Sequence, residues 1–416
     1  MSGPGISVVV CAYTEDRWDD ILAAVDSVRA QSRPALETVL VVDHNRALRD
    51  CLTEEFASAG SRSADGEVRV LANSGPRGLS AGRNTGIAAA RGEVIAFLDD
   101  DAVAERDWLR WFAAGYDDPR VMAVGGLTLP VWASGRRPVW FPEEFDWVVG
   151  CSYRGLPPGR VRVRNVLGGN ASFRRTAFDL TGGFATGIGR DGDRRPLGGE
   201  ETELCIRLSR ARPDAILLVD DRAVIHHKVP EARERFAYFR ARTYAEGLSK
   251  ALVARSVGTA KGLESERRYT THVLPSGVAR GLRDTLLTRR GGARRAAAII
   301  TGTLIAATGY AAGTLTRPTA AAPTTPVTTD SSALTTPHPA AGNRGAGTTD
   351  LVPTTSVAAD SRAAGAMGVP PPERSREWGR VGAAAPAQHG ADSPPARTGT
   401  GTGTGTGTRT GQETAG

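Results

Sequence analysis

Phe97-Leu-Asp-Asp-Asp101 closes the apolar run Val94-Ile-Ala-Phe-Leu98, and this junction decides the fold. A short run rich in β-branched and aromatic residues, bounded by polar residues, reads as a strand buried on both faces. Three earlier runs have the same form: Ile6-Ser-Val-Val-Val10, Thr38-Val-Leu-Val-Val42 and Val68-Arg-Val-Leu71. Helical stretches lie between them, over residues 18–31, 47–59 and 79–90, with Gly92 expected as the C-terminal stop of the third. Strand and helix alternate, which predicts an α/β fold with right-handed crossovers and a mostly parallel, Rossmann-like sheet. Ligands of such sheets collect outside the carboxyl ends of the strands. Asp43 follows the second run and Asp99, Asp100 and Asp101 follow the fourth, so these acids are expected to open onto one crevice.

Further along, residues 122–222 read as irregular and rich in Trp, Gly and Pro, as a loop-built substrate half would be, and helical periodicity returns over residues 233–257. The chain has 416 residues, with room for one large or two ordinary domains. Proline crowds after Arg317, where periodicity stops, and the Gly-Thr repeat of residues 398–408 can bury no core, so residues 317–416 are expected to be a disordered tail. Four well-separated cysteines, Cys11, Cys51, Cys151 and Cys205, form no C-x-x-C pair. They argue against a zinc ribbon or a disulfide framework and fit a reducing compartment. No secretory leader is expected ahead of Ile6, so the catalytic part is read as cytoplasmic. All but three of the 52 basic residues are arginine, interspersed with acids, and no basic run alternates with aromatics, so nucleic acid is not an expected partner.

Residues 296–316 carry no charge and follow Arg289, Arg290, Arg294 and Arg295. That length can cross a bilayer of roughly 30 Å, and the arginines are the flank expected on the cytoplasmic side. Two readings stay open: a membrane-associated segment, or a helical hairpin capping the domain.

Three consecutive carboxylates at a strand end repel one another unless a cation neutralises them, and a hard divalent metal is their natural partner. Gly75-Pro-Arg-Gly-Leu-Ser-Ala-Gly-Arg-Asn84 adds flexible amides, Arg77 and Arg83 around a helix start, a place where anions bind. It is neither a Walker A loop nor G-x-G-x-x-G. His226 and His227 end Ala223-Val-Ile225, and neighbours in an extended segment point to opposite faces, so only one of them can join a metal site.

The set as a whole resembles family 2 glycosyltransferases. It comprises Val8-Val-Val-Cys-Ala-Tyr13 with the Asp16 turn, Val41-Val-Asp43, Gly78-Leu-Ser-Ala-Gly-Arg-Asn-Thr-Gly86 and Phe97-Leu-Asp-Asp-Asp101, then Gly168-Gly-Asn170 with Phe173-Arg174, Gly199-Glu-Glu-Thr-Glu-Leu204 and His226-His227. The pieces come in the family's order, and Tyr244-Ala-Glu-Gly-Leu-Ser-Lys250 is similar to a stretch of actinobacterial members. The resemblance implies a GT-A catalytic domain over residues 1–235, here with a helical extension over 236–316. It implies a metal-dependent, inverting transfer from a nucleotide-diphospho-sugar to an acceptor hydroxyl in cell-envelope or exopolysaccharide synthesis.

On that resemblance Asp43, Arg83, Asn84, Asp99 and Asp100 bind the nucleotide-sugar, while Asp101 and His227 hold Mn²⁺ or Mg²⁺. Gly169, Asn170 and Trp140 serve the acceptor, although Trp132, Trp140, Phe141 and Trp147 read equally as core. The family's Glu-Asp base pair is here Glu200-Glu201; Glu201 stands at the base position, Glu200 is the alternative, and Glu203 is structural. The expected donor is a UDP-sugar and the acceptor a saccharide or a lipid-linked acceptor, met at the inner face of the cell membrane. Two other functions are alternatives to this one. A nucleotidyltransferase would place its glycine-rich loop after the first strand, where Cys11-Ala-Tyr-Thr-Glu15 stands, and a non-catalytic scaffold would have lost Asp101, Glu201 and His227.

Overall fold

The structure is a computed structural model that describes residues 3–58, 67–186, 199–257 and 268–315. The expectation of a disordered tail falls outside these residues. The strand-helix alternation expected of the first hundred residues forms as β1 (Ile6–Ala12), α1 (Trp18–Arg29), β2 (Glu37–Val42), α2 (Arg46–Ser58), β3 (Glu67–Ala72), α3 (Leu79–Ala89) and β4 (Val94–Asp99). There follow β5 (Ala102–Ala104), α4 (Trp108–Ala113), β6 (Val121–Trp132), β7 (Arg160–Arg162), β8 (Asn170–Arg174), α5 (Arg175–Thr181), α6 (Glu200–Ala211) and β9 (Ile216–Val229). The chain then turns helical, in α7 (Phe236–Val257), α8 (Leu274–Leu286) and α9 (Gly292–Leu315).

One sheet runs in the order β3-β2-β1-β4-β8-β6-β9-β5, with β7 beside β9. β3, β2, β1 and β4 are parallel to one another, whereas β8 is antiparallel to both β4 and β6 and makes the sheet mixed. Alternation along the parallel strands sorts their side chains into two cores. Val8, Val10, Leu40, Val42, Ala96 and Leu98 pack with α1, α2 and α4 on one face. Val9, Val39, Val41, Ile95 and Phe97 meet α3, α5 and α6 on the other.

Two expectations are corrected. Residues 122–222 are not all loop, since they hold all but the first residue of β6, the first half of β9, all of β7 and β8, and helices α5 and α6. The strand pattern is hidden because these backbones pack too closely for β-branched runs: a Cβ on Gly126 would overlap the Ala223 carbonyl, and one on Gly125 would press on Val166. Gly92 does not stop α3 by a left-handed conformation; the helix ends at Ala89 with extended Ala90 as its C-cap, and Gly92 is needed because the β1 backbone at Ser7 passes 2.6 Å from where its Cβ would be.

A third cluster lies under the C-terminal helices. Trp132, Phe141, Phe145, Phe239, Leu274 and Ile299 are buried together, with Trp140 and Trp147 packed against them. Edge-on rings dominate it, as between Trp140 and Phe239 at 5.5 Å and 90°. Buried Glu144 accepts from Arg280 and ties α8 to the same loop.

Candidate active site

The carboxyl ends of β2 and β4 bring the predicted acids to one side of the sheet. Asp43 Oδ2 accepts the Gly78 N–H at 3.0 Å, and its Oδ1 accepts Asn73 Nδ2 at 2.6 Å and faces His44 Nδ1 at 2.8 Å. His44 has φ of 51°, so the turn after β2 is strained where it presents Asp43.

The three acids after β4 have three different surroundings. Asp99 is the most open, 36% exposed, with Arg83 3.5 Å away. Asp100 turns inward, where Arg17 Nη1 donates to Oδ1 at 2.5 Å and Oδ2 is buried without a partner. Burial pushes its pKa up to about 7 in spite of Arg17. Asp101 lies 3.1 Å from Arg17 and 3.2 Å from His227 Nε2. Burial there is outweighed by the His227 hydrogen bond and by Arg17, which hold its carboxyl well below the usual range.

β9 sorts the histidines by strand alternation. His227 is buried towards Asp101, with its Nδ1 3.9 Å from Cys151 Sγ, while exposed His226 pairs with Glu105 at 3.0 Å on the other face. Ligand atoms of Asp99, Asp101 and His227 lie within 4.8 Å of one another. Two carboxylate oxygens and one imidazole nitrogen suit Mn²⁺ or Mg²⁺ with open positions for phosphate and water, so the donor set fits the expected metal.

Arg83 joins this group to the acids of α6. It is buried, reaching Asp99 at 3.5 Å and Glu200 at 3.2 Å, with its guanidinium over the rings of Phe97 and Phe184. Glu200 is thereby neutralised through Oε1, although its Oε2 has no partner. Glu201 accepts a long hydrogen bond from the Gly168 N–H, 3.4 Å, and its Oε2 is buried without a partner among the described residues. Burial first, then the charge of Glu200, push Glu201 up to about 7 against the pull of Arg83. Gly168 and Gly169 form the floor between the two halves: a Cβ on Gly168 would sit 2.8 Å from Arg83, and one on Gly169 would overlap Asp99 Oδ2.

Residues 7–181 match the family described as Glycosyl transferase family 2. The glucosyl-dolichyl phosphate glucuronosyltransferase of Haloferax volcanii is 37% identical over 246 residues, covering 59% of this chain and 76% of that one. The chain belongs to glycosyltransferase family 2. The pre-mycofactocin glycosyltransferase of Mycobacterium tuberculosis H37Rv is 30% identical over 44% of this chain and 36% of its own length. The mannosyltransferase PcManGT from Pyrobaculum calidifontis, solved with GDP-Man and Mn²⁺, superposes with a TM-score of 0.49 at 17% identity, over 73% of this chain and 87% of that one. Membership makes the chain a glycosyltransferase with the GT-A fold, and it removes the nucleotidyltransferase reading.

In this glycosyltransferase the other predicted residues stand apart from the acids or serve the frame. Asn84 is bound both ways to the backbone of Phe184, donating to its carbonyl and accepting its N–H, each at 2.8 Å. Asn170 is fully buried, accepting Trp108 Nε1 at 2.8 Å and donating to the carbonyls of Leu127 and Ala223. Trp140 lies in the aromatic cluster under α7. Glu203 binds Arg207, which in turn donates to the Gly183 carbonyl, a structural clamp. Sequence reasoning passed over Arg17 and Asn73. Arg17 closes the single-turn helix Glu15–Arg17 just ahead of α1, and a cation at a turn that follows a strand end beside the acid triplet was the available signal.

Proposed function

We propose that this glycosyltransferase is metal-dependent and inverting, and that it moves a sugar from a nucleotide-diphospho-sugar to the hydroxyl of a lipid-linked saccharide. One observation carries the reading: the buried Arg83 spans Asp99 and Glu200, so cation-ready acids and a desolvated carboxylate share one crevice.

A sugar hydroxyl is a poor nucleophile near neutral pH, and a carboxylate that takes its proton contributes typically about 10² to 10⁴ in rate. Glu201 is the base in this scheme: with a pKa of about 7 it is basic enough to accept the proton, half ionised at neutrality and ionised above it. Glu200 pairs with Arg83 and positions it. The acceptor oxygen bonds to the anomeric carbon, the bond to the diphosphate oxygen breaks, and the proton passes to Glu201 Oε2, in a single displacement. Asp43 and Asp99 orient the nucleoside and ribose, and Asp100 with Arg17 holds the β4 turn. Asp101 and His227, with Asp99, would hold Mn²⁺ or Mg²⁺, which supplies Lewis-acid stabilisation of the departing diphosphate. Gly169 lies on the acceptor side of this arrangement, with Asn170 and Trp140 behind it shaping that side through the frame.

The division into a catalytic part at 1–235, a helical extension at 236–316 and a tail at 317–416 belongs to the same reading. So does a cytoplasmic location at the inner face of the membrane. The actinobacterial-type assignment rests on Tyr244-to-Lys250, which lies in α7. A lipid-linked acceptor is supported by the Haloferax relative, a glucosyl-dolichyl phosphate glucuronosyltransferase.

The test is a panel of UDP-, GDP- and dTDP-sugars, followed by thermal shift and donor hydrolysis with and without Mn²⁺. UDP-sugars are expected to shift the protein in the presence of the metal. Shifts that ignore the metal would overturn the assignment of Asp101 and His227.

A further inference from the structure

α9 has two apolar faces, and only one of them is covered. Its buried side is built on Ala296, Ala298, Ile299, Gly302, Gly309 and Gly313. The glycines bring backbones into contact: a Cβ on Gly309 would overlap the Tyr244 carbonyl of α7, and one on Gly247 of α7 would overlap the Ala306 carbonyl. The opposite side is exposed at Ala297, Ile300, Leu304, Ala307, Ala311 and Leu315. These positions recur every three or four residues, so they form one stripe, roughly 27 Å long at 1.5 Å per residue. Leu304 is 63% exposed and Leu315 86%. An uninterrupted apolar ridge of this kind marks an interaction surface, whereas singly exposed leucines are ordinary.

The near end of the ridge is basic. α8 finishes in Leu286, 84% exposed, and Leu287, 54% exposed, and the turn into α9 follows at once. A cleft of about 480 Å³ there is lined by Arg289, Arg290 and Arg294 together with Val139. From Leu274 to Leu315 the one acid is Asp284, which is shared by Arg289 and Arg295. Arg283, Arg290 and Arg294 have no acidic partner among the described residues.

We infer that the α8–α9 hairpin docks on an anionic lipid surface, with α9 lying in the plane of the interface rather than crossing it. The apolar stripe enters the acyl boundary, and the arginines of the turn meet lipid phosphates. α9 is long and apolar enough to span, but its glycine face is locked to α7. α7 carries the ion-paired Arg242, Glu246 and Lys250, and taking such charges into hydrocarbon is costly. The inference rests on the membrane location proposed above and is independent of the transfer chemistry.

The experiment is co-sedimentation of the full chain with vesicles of phosphatidylcholine alone or mixed with phosphatidylglycerol, at low and raised salt. Donor hydrolysis is followed on the same samples, so that a failed transferase reading and a failed docking reading are told apart. Binding is expected to need phosphatidylglycerol and to weaken with salt. Reversing Arg289, Arg290 and Arg294 to Glu should cut vesicle affinity about a hundredfold, and Ile300→Glu with Leu304→Glu at least about tenfold, with melting temperature and donor hydrolysis kept. Equal binding to neutral vesicles, or none to either kind, overturns the inference. So does a dimer in solution that the two Glu substitutions dissociate, and so does a carbonate-resistant, protease-protected fragment spanning α9.

Discussion

Arg83 Nη1 stands 3.2 Å from Glu200 Oε1, and both side chains are less than a tenth exposed. Among the described residues the guanidinium is the one close cation for the adjacent carboxylates of Glu200 and Glu201. Removing one partner of a buried ion pair leaves an uncompensated charge and costs about 3 to 5 kcal/mol. Arg83→Ala is therefore expected to lower the melting temperature by roughly 6 to 20 °C, read by calorimetry. Adding Glu200→Gln should recover part of that loss, and a single variant that melts like the parent would remove Arg83 from this role.

Glu201 links stability to pH in a direction that can be worked out. Its carboxyl titrates at about 7 in the fold against an ordinary 4.5. Between those values the unfolded chain has released a proton that the folded chain keeps, so native stability falls as pH rises through the window, and the full penalty is present above it. Glu201→Gln is expected to raise the melting temperature near pH 8, with the gain shrinking to nothing below about pH 4.5. The same titration makes parental transfer rise with pH through about 7. A transfer rate that is flat across that range, with chemistry limiting, would contradict it.

Gly169 gives access to the metal group without touching a ligand atom. A Cβ there would overlap Asp99 Oδ2, so Gly169→Ala must displace that carboxylate. Mn²⁺ affinity, by calorimetry, is expected to fall at least about tenfold, while Gly5→Ala, whose Cβ would meet only Leu36 at 3.7 Å, should leave metal affinity unchanged.

The two histidines of β9 should behave oppositely. His227→Ala is expected to lower Mn²⁺ affinity at least about tenfold. His226→Ala loses only its exposed contact with Glu105 and should bind metal as the parent does. Paramagnetic line broadening by Mn²⁺ reads both variants.

How much was legible followed local chemistry. β1 to β4 announced themselves because strands buried on both faces must be continuous apolar runs, and the acids after β2 and β4 fell at their carboxyl ends for the same reason. β8 escaped notice because Asn170-Ala-Ser-Phe-Arg174 holds one large apolar residue, its inward polar groups being satisfied by Trp108, Tyr116 and main-chain carbonyls. Of β9 only the extended segment Ala223 to His227 was legible, because Asp220, Asp221 and Arg222 interrupt the strand, where Asp220 is buried on Arg160 and Arg222. Motif spacing picked out Glu200, Glu201 and His227, but their different surroundings arise from contacts over a hundred residues away in the chain. Arg83 and Glu200, for example, are 117 positions apart.

The central claim is a single in-line displacement with Glu201 as base, and the anomeric configuration of the product tests it most directly. With an α-linked nucleotide-sugar and Mn²⁺, proton NMR of the isolated product is expected to show a β linkage, and Glu201→Gln should slow its formation by at least about 10²-fold with donor binding kept. An α-linked product would mean retention and would contradict the account.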